Sequence, residues 1–360
     1  MTSSVYSVIT GTGSYIPPDI VKNEDFLQNA FYSPAGEIMT KPNKVIIDKF
    51  REITEIEERR HVEDQYVASD IAAFSAKKAF EESGIDPETL DYIIVAHNFG
   101  DVSKETMRSD ILPSLASKVK YKLKIENPYC VAYDVLYGCP GWIQALIQAD
   151  FYIKSGQAKK ILVIGTETLS RVSDPHDVDS MIYSDGAGAA IVEARESDHP
   201  VGIISHIART DTHDHAWLLR MGPSNNPAVD QKELFLKMDG RKVYEYALHT
   251  VPPTVKKCLE NAGIDISDVK KVLIHQANAK MDHAILARLF KLYGLRTVPG
   301  NVMPLTISHL GNNSVATVPV LFDMVIKKML QNHRLHHGDH FVFTSVGAGM
   351  NINAIVYRMP

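Results

Sequence analysis

Tyr129-Cys130-Val131-Ala132-Tyr133-Asp134-Val135-Leu136-Tyr137-Gly138-Cys139-Pro140-Gly141-Trp142-Ile143-Gln144-Ala145-Leu146-Ile147-Gln148-Ala149-Asp150-Phe151-Tyr152-Ile153 joins two apolar patterns through a cysteine beside glycine. Residues 129–135 alternate and carry β-favouring side chains, which predicts a strand. Residues 142–153 are apolar nearly all round, broken mainly by Gln144, Gln148 and Asp150. A helix without a polar face belongs in the middle of a large protein, not on its surface. Pro140 suits the first turn, where no N–H is needed. Cys139 therefore stands at the N-terminus of a buried helix, where the dipole and free N–H groups favour thiolate. Taken alone, these residues describe either a nucleophile or a buried structural cysteine.

Outward from this stretch, strands and helices alternate, the pattern of an α/β protein with largely buried sheets. The first half predicts helices over 70–82 and 112–121 and strands over 91–97, 160–165 and 187–193. The second half predicts helices over 241–261 and 283–292 and strands over 272–275, 341–345 and 351–357. A second all-round apolar helix falls within 315–330, where Pro319 implies a kink or a later start.

Two echoes point to a duplicated chain. Ser83-Gly84-Ile85-Asp86 leads into a strand ending at His97, and Ala262-Gly263-Ile264-Asp265 leads into one ending at His275. Gly138-Cys139 precedes the first apolar helix, and Gly311-Asn312 precedes the second. Two equivalent loops are thus expected to face each other, one carrying a thiol and the other an amide. The expected division is 1–190 for the half with the cysteine and 191–360 for the half with His275 and Asn312. Residues 29–50 and 211–227 read as loop-rich segments able to shape a substrate entrance.

The chain has 360 residues, 45% of them apolar, enough for a substantial core. Its 38 basic and 43 acidic side chains give a formal charge of −5, which offers no global field for nucleic acid. Three cysteines cannot form a disulfide framework in a chain this long, and none has metal-site spacing. A reducing cytoplasm is the expected compartment. Neither a signal peptide nor a membrane-spanning run is apparent, so no membrane role is expected. His333, His336, His337 and His340 read as a solvated turn rather than a metal site.

His275 ends an apolar strand and opens Gln276-Ala277-Asn278, a suitable place for a site in an α/β fold. Gly311-Asn312-Asn313-Ser314 fits either a site loop or a plain turn with a helix cap. Ser345-Val346-Gly347-Ala348-Gly349 could set backbone N–H groups against an anion. With Ile9-Thr10-Gly11-Thr12-Gly13-Ser14-Tyr15-Ile16-Pro17, Gly138-Cys139-Pro140-Gly141, Tyr183-Ser184-Asp185-Gly186-Ala187-Gly188-Ala189-Ala190 and Met238-Asp239-Gly240-Arg241-Lys242-Val243, these motifs stand in a familiar order. The chain resembles the ketoacyl-acyl carrier protein synthase III family of the thiolase superfamily, essentially from end to end.

That resemblance implies a five-layer α-β-α-β-α fold of two pseudo-duplicated halves, a homodimer, and residues 107–113 near the partner's pocket. It implies Cys139 as the acylated nucleophile and His275 with Asn312 as the decarboxylation pair. The backbone N–H groups of Cys139 and Ala348 become the oxyanion hole. Asn278, Lys280, Gly240 and Val346 become substrate or carrier contacts, with Lys280 the basic docking residue. Asn313 and Ser314 are expected to hold loop geometry. No cofactor is implied beyond acyl thioesters on acyl carrier protein or coenzyme A.

Departures from the family pattern refine the expectation. Ser345 stands about where thiolases carry a second cysteine, which favours condensation over thiolysis. The adenine clamp of coenzyme A-primed members is missing: no tryptophan precedes Trp142, and Val178 takes the arginine position. Carrier-protein delivery is therefore expected over coenzyme A. The insertion at 29–50 keeps open a specialised ketosynthase that joins two acyl or ketoacyl chains into a cyclohexanedione. A Cys–His–Asn thioester hydrolase is the remote alternative.

Overall fold

Apolar alternation along the chain pairs into two sheets in the computed structural model, which describes residues 4–360. The first sheet contains β1 (Ser4–Tyr15), β2 (Tyr92–Ala96), β3 (Val131–Val135), β4 (Lys160–Thr168) and β5 (Asp185–Ser197) in the order β1-β5-β4-β2-β3. The second contains β6 (Gly202–Thr210), β7 (Val269–Ile274), β8 (His340–Gly347) and β9 (Asn351–Arg358) in the order β6-β9-β8-β7. Its pairings repeat those of β1-β5-β4-β2: antiparallel, antiparallel, then parallel. The segment that could extend the second sheet beside β7 makes a ladder-like bond through Val272 N–H to the Val302 carbonyl at 2.8 Å. The chain crosses from one sheet to the other at 198–201. The expected boundary at 190 falls inside β5, because that strand pairs with β1 from Ala187 as far as Ser197.

Among the described residues the longer helices are α1 (Asn43–Thr54), α2 (Ala68–Ser83), α3 (Leu115–Lys122), α4 (Gly141–Lys154), α5 (Gly240–Ala262), α6 (Ala279–Lys291) and α7 (Thr317–Ile326). Strand side chains alternate between layers, as pleating requires. Ile93 and Val95 of β2 join the core beneath α2 and α3, while Ile94 and Ala96 face the central helices. Phe341 and Phe343 of β8 face the same central layer, and Val342 and Val346 face α5 and α6. The layers therefore run α2/α3, first sheet, α4/α7, second sheet, α5/α6.

Each polar break in the central helix predicted at 142–153 has at least one partner, although Asp150 Oδ1 has none among the described residues. Gln144 accepts from Asn353 at 2.8 Å, Gln148 from Tyr133 at 2.8 Å, and Asp150 from Lys154 at 2.8 Å. A buried polar group left unpaired costs about 1–3 kcal/mol, so these partners let α4 stay in the middle layer. Pro319 lies in the first turn of α7, after a short 3-10 turn over Ser314–Ala316, and the later start avoids an interior helix break.

Residues 29–50 are less loop-like than expected, since α1 occupies 43–54. Ile46, Ile47, Phe50 and Thr54 lie on its buried side, with lysines and acids between them. Segment 211–227 likewise contains a strand, Leu219–Gly222, paired with Phe235–Met238. His340 begins β8, and among the described residues no cluster of metal-ligating side chains forms. Among the described residues no helix is long and apolar enough to cross a membrane.

The glycine-rich β1 is pinned to α7 by Asp323, which is buried and accepts from the Thr12 hydroxyl at 2.7 Å and the Ser14 hydroxyl at 2.6 Å. Lys327 pairs with the same carboxylate at 2.6 Å. Replacing Asp323 by Ala strands the buried Ser14 hydroxyl and leaves Lys327 without its carboxylate, while the Thr12 hydroxyl keeps Glu82 at 2.9 Å. The replacement is expected to lower unfolding stability by about 3 kcal/mol, read as a shift in the urea midpoint at unchanged slope.

Candidate active site

Cys139 and the two residues predicted to act with it lie in one cavity of about 200 Å³, although they come from distant parts of the chain. Cys139 lies two residues before α4, His275 directly after β7, and Asn312 in the loop before α7. Two glycines let the loops from the two halves touch. Gly138 has φ +68, and a Cβ there would sit 2.7 Å from the Ala348 nitrogen. A Cβ on Gly347 would sit 2.6 Å from the Cys139 nitrogen. Any larger residue at either place pushes the loops apart. The same closeness brings together the backbone N–H groups of Cys139 and Ala348, and neither donates to a backbone carbonyl in the described turns and loops.

Asn312 is strapped to the first half of the chain. Its N–H donates to the Ile182 carbonyl at 2.9 Å, and Ser184 N–H donates to the Asn312 carbonyl at 2.9 Å. Its side-chain oxygen accepts from Ser314 N–H at 2.8 Å. The amide is thereby oriented, which leaves its NH2 group as the donor for the cavity. His275 N–H donates to the Thr344 carbonyl at 2.9 Å. The neighbouring Gln276 side chain locks the turn by donating to the Pro304 carbonyl at 2.9 Å and accepting from Thr306 N–H at 2.9 Å.

Burial governs the electrostatics. It pushes the His275 imidazole down to about 4, with a backbone contact at Ser314 opposing it, so the ring is neutral at ordinary pH. Burial also pushes the Cys139 thiol up to about 11, and Glu167 adds to the rise. The Ser314 hydroxyl acts in the opposite sense, donating to the sulfur at 3.3 Å. The thiolate expected from the helix N-terminus is therefore not the resting form. Removal of the sulfur from water outweighs the favourable end of α4.

Val346 lines the same cavity, but Gly240 and Asn278 do not. They line a second, larger cavity of about 1060 Å³ under α1, whose wall includes Met39, Ile46, Phe50 and Val178. The two cavities share Met238, Val243, Ala277 and Met281. Asn278 also caps α6, accepting from Met281 N–H at 3.0 Å. Lys280 is exposed outside both cavities, on the side of α6 near Glu52 of α1. The structure thus groups Cys139, His275, Asn312, Ala348 and Val346, with Gly240 and Asn278 next door and Lys280 on the surface.

Three polar residues of this region carry no expectation of a contact with the thiol: Asn98, Glu167 and Ser314. Ser314, read as a loop residue, has φ +50 and places its hydroxyl on the sulfur. Glu167 left a trace in the sequence as an acid near the end of the apolar run that forms β4. Asn98 left none beyond following His97.

Comparison with known proteins bears on the whole chain. Residues 133–212 match the family model for 3-oxoacyl-[acyl-carrier-protein] synthase III, and residues 259–359 match the model for its C-terminal part. The chain is 32% identical to a beta-ketoacyl-[acyl-carrier-protein] synthase III of Erythrobacter litoralis, over 98% of this chain and 99% of the relative. It is 30% identical to the corresponding Koribacter versatilis protein, over 99% of each. The crystal structure of the Aquifex aeolicus synthase III superposes with a TM-score of 0.79 at 28% identity, covering 98% of this chain and 99% of the other. This chain belongs to the 3-oxoacyl-[acyl-carrier-protein] synthase III family, whose members are acyl-transferring condensing enzymes of the thiolase fold.

Proposed function

We propose that the cavity carries out decarboxylative condensation with Cys139 as nucleophile and His275 and Asn312 as the donors that hold the enolate. The observation that carries this reading is their convergence in one cavity beside the Cys139 and Ala348 N–H groups. The Cys139 sulfur attacks the carbonyl of an acyl thioester, and the two N–H groups hold the resulting oxyanion. The carbon–sulfur bond to the donor breaks, and the donor's thiol leaves with the proton that Cys139 loses. A malonyl-type thioester then places its carbonyl oxygen against His275 and Asn312. Carbon dioxide departs, and the electron pair left behind becomes an enolate stabilised by two neutral donors. Its carbon attacks the acyl-cysteine, the carbon–sulfur bond to Cys139 breaks, a ketoacyl thioester is released, and the freed Cys139 thiolate takes up a proton from solvent.

Carrier-protein delivery is supported by the apolar Val178 where a coenzyme A clamp would need a cation. Lys280 lies outside the cavities, as a docking residue for an acidic carrier would. A second copy of the chain is supported by the free edge of β3 and the exposed Ile111, Leu112, Tyr129 and Leu136 around it. The size and apolar wall of the second cavity favour one further reading, a ketosynthase that joins two longer chains and releases a cyclised diketone.

Cys139→Ala is expected to abolish the acyl adduct seen by intact-protein mass spectrometry while the fold persists. His275→Ala and Asn312→Ala should still acylate but lose decarboxylation by roughly 100- to 1,000-fold, the usual effect of deleting such a donor. Equal loss of acylation in both variants would overturn the division of roles.

The pH dependence has a definite sign. With its folded pKa at about 4 and an unfolded value near 6.5, His275 favours the folded state fully above pH 6.5. That contribution fades as pH falls toward 4. Decarboxylation by pre-acylated enzyme should accordingly show no protonation of His275 between pH 5 and 7, and an acid limb with a midpoint near 6.5 would contradict the site.

Loading matched acyl thioesters of different lengths, on coenzyme A and on carrier protein, separates the remaining readings. A short adduct from coenzyme A indicates an initiating synthase. Medium or long adducts taken from carrier protein indicate the two-chain enzyme, and a cyclised diketone should then appear among the products.

A further inference from the structure

Glu167 takes no part in the chemistry above, yet it is a buried carboxyl near the thiol, close to the C-terminal end of β4. One of its oxygens, Oε1, accepts two hydrogen bonds from a single residue: from Asn98 N–H at 2.6 Å and from Asn98 Nδ2 at 2.7 Å. The same Asn98 Nδ2 donates to the Ser314 hydroxyl oxygen at 3.2 Å. Ser314 in turn donates to the Cys139 sulfur at 3.3 Å. The loop bearing Asn98 is held separately, since His97 bonds Asp134 at 2.9 Å and accepts from Gly100 N–H at 3.0 Å.

We propose that Glu167 is a positioning residue for Cys139, acting through Asn98 and Ser314. The direction of each bond follows from what each group can donate. Glu167 Oε1 already accepts from the Asn98 backbone N–H, so the proton of the acid belongs on Oε2 and the Asn98 amide must turn its NH2 toward Oε1. The second hydrogen of that NH2 then reaches the Ser314 oxygen, occupying it as an acceptor. The single Ser314 hydrogen is left to point at sulfur. A hydroxyl that donates to sulfur favours thiolate, whereas one that accepts from S–H favours thiol. The chain thus opposes the burial that raises the Cys139 thiol.

Charge fits this arrangement. Burial raises the Glu167 carboxyl to about 8, its Asn98 bonds oppose the rise, and Asp185 on the neighbouring strand adds to it. Near pH 7 the acid therefore orients Asn98 while placing little negative charge beside the sulfur.

The inference rests on Cys139 being the nucleophile, but its test needs no substrate. The rate of Cys139 alkylation by iodoacetamide is followed across pH 7–10 by intact mass, with Cys139→Ala as background for Cys130 and Cys258. Glu167→Ala, Asn98→Ala and Ser314→Ala are each expected to slow alkylation at pH 7 about tenfold, typical of losing a hydrogen bond to an ionised group. Glu167→Gln, which keeps the acceptor oxygen, should restore the rate that Glu167→Ala loses. The Glu167→Ala/Ser314→Ala double variant should be no slower than Ser314→Ala alone. Parent-like alkylation in Glu167→Ala, or losses that multiply in the double variant, would overturn the proposal. Glu167→Met, of similar volume but without the acceptor, carries the same decision if thermal melting shows that the Ala variant does not fold. Failure of the catalytic reading itself would look different, as an acyl adduct that survives Cys139→Ala.

Discussion

Two sheets can share one interior only if what lies between them is largely apolar and its charged groups are paired. That requirement falls on α4 and α7. Trp142, Ile143 and Leu146 from one helix and Val318, Leu321 and Phe322 from the other fill the middle layer against Phe341 and Phe343. A charged side chain facing that layer without a partner would cost more than a typical core contact returns. The rule admits Asp150 because Lys154 reaches it, and Asp323 because Thr12, Ser14 and Lys327 do.

The site follows from this packing. Helices that must lie side by side in one layer bring the loops at their N-termini together. One loop carries Cys139 and the other Asn312, and a repeated strand order puts them in equivalent places. Gly138 and Gly347 then set how closely the halves approach, because each leaves room for the other loop's backbone. The pocket is a property of the seam between the halves. His275 joins it because β7 is the strand whose end faces that seam.

Most of this was legible in the sequence because it is written in periodicity and composition. A helix with no polar face, a cysteine at its start and a second such helix after Gly311-Asn312 already predict a buried layer with two facing loops. The thiol's electrostatic state was not legible. Helix position argues for thiolate, and only the degree of burial, a property of the whole fold, shows that desolvation prevails. Segment 43–54 was hidden by its surroundings: Pro42 and mixed charges suggest a loop, while the buried run of Ile46, Ile47 and Phe50 is too short to stand out. Asn98 and Glu167 are joined only by the pairing of β2 with β4, which aligns Ala96 with Gly165 and so sets the loop of Asn98 beside the end of β4 that carries Glu167.

In the proposed reaction, burial serves the two halves unequally. An enolate is best held by neutral donors in a dry pocket, and the depth that keeps His275 uncharged suits it to that task. The same depth works against acylation, which needs sulfur in its charged form. A site that moved the thiol outward would ease the first step and weaken the second, since both groups share one small cavity. Retaining the depth requires hydrogen bonds aimed at sulfur that bring no net charge with them, because a cation there would also draw on the extender's carboxylate. A serine hydroxyl turned by an amide, itself turned by a largely protonated acid, meets that requirement with neutral groups alone. The positive φ of Ser314 is consistent with a backbone shaped to present that hydroxyl.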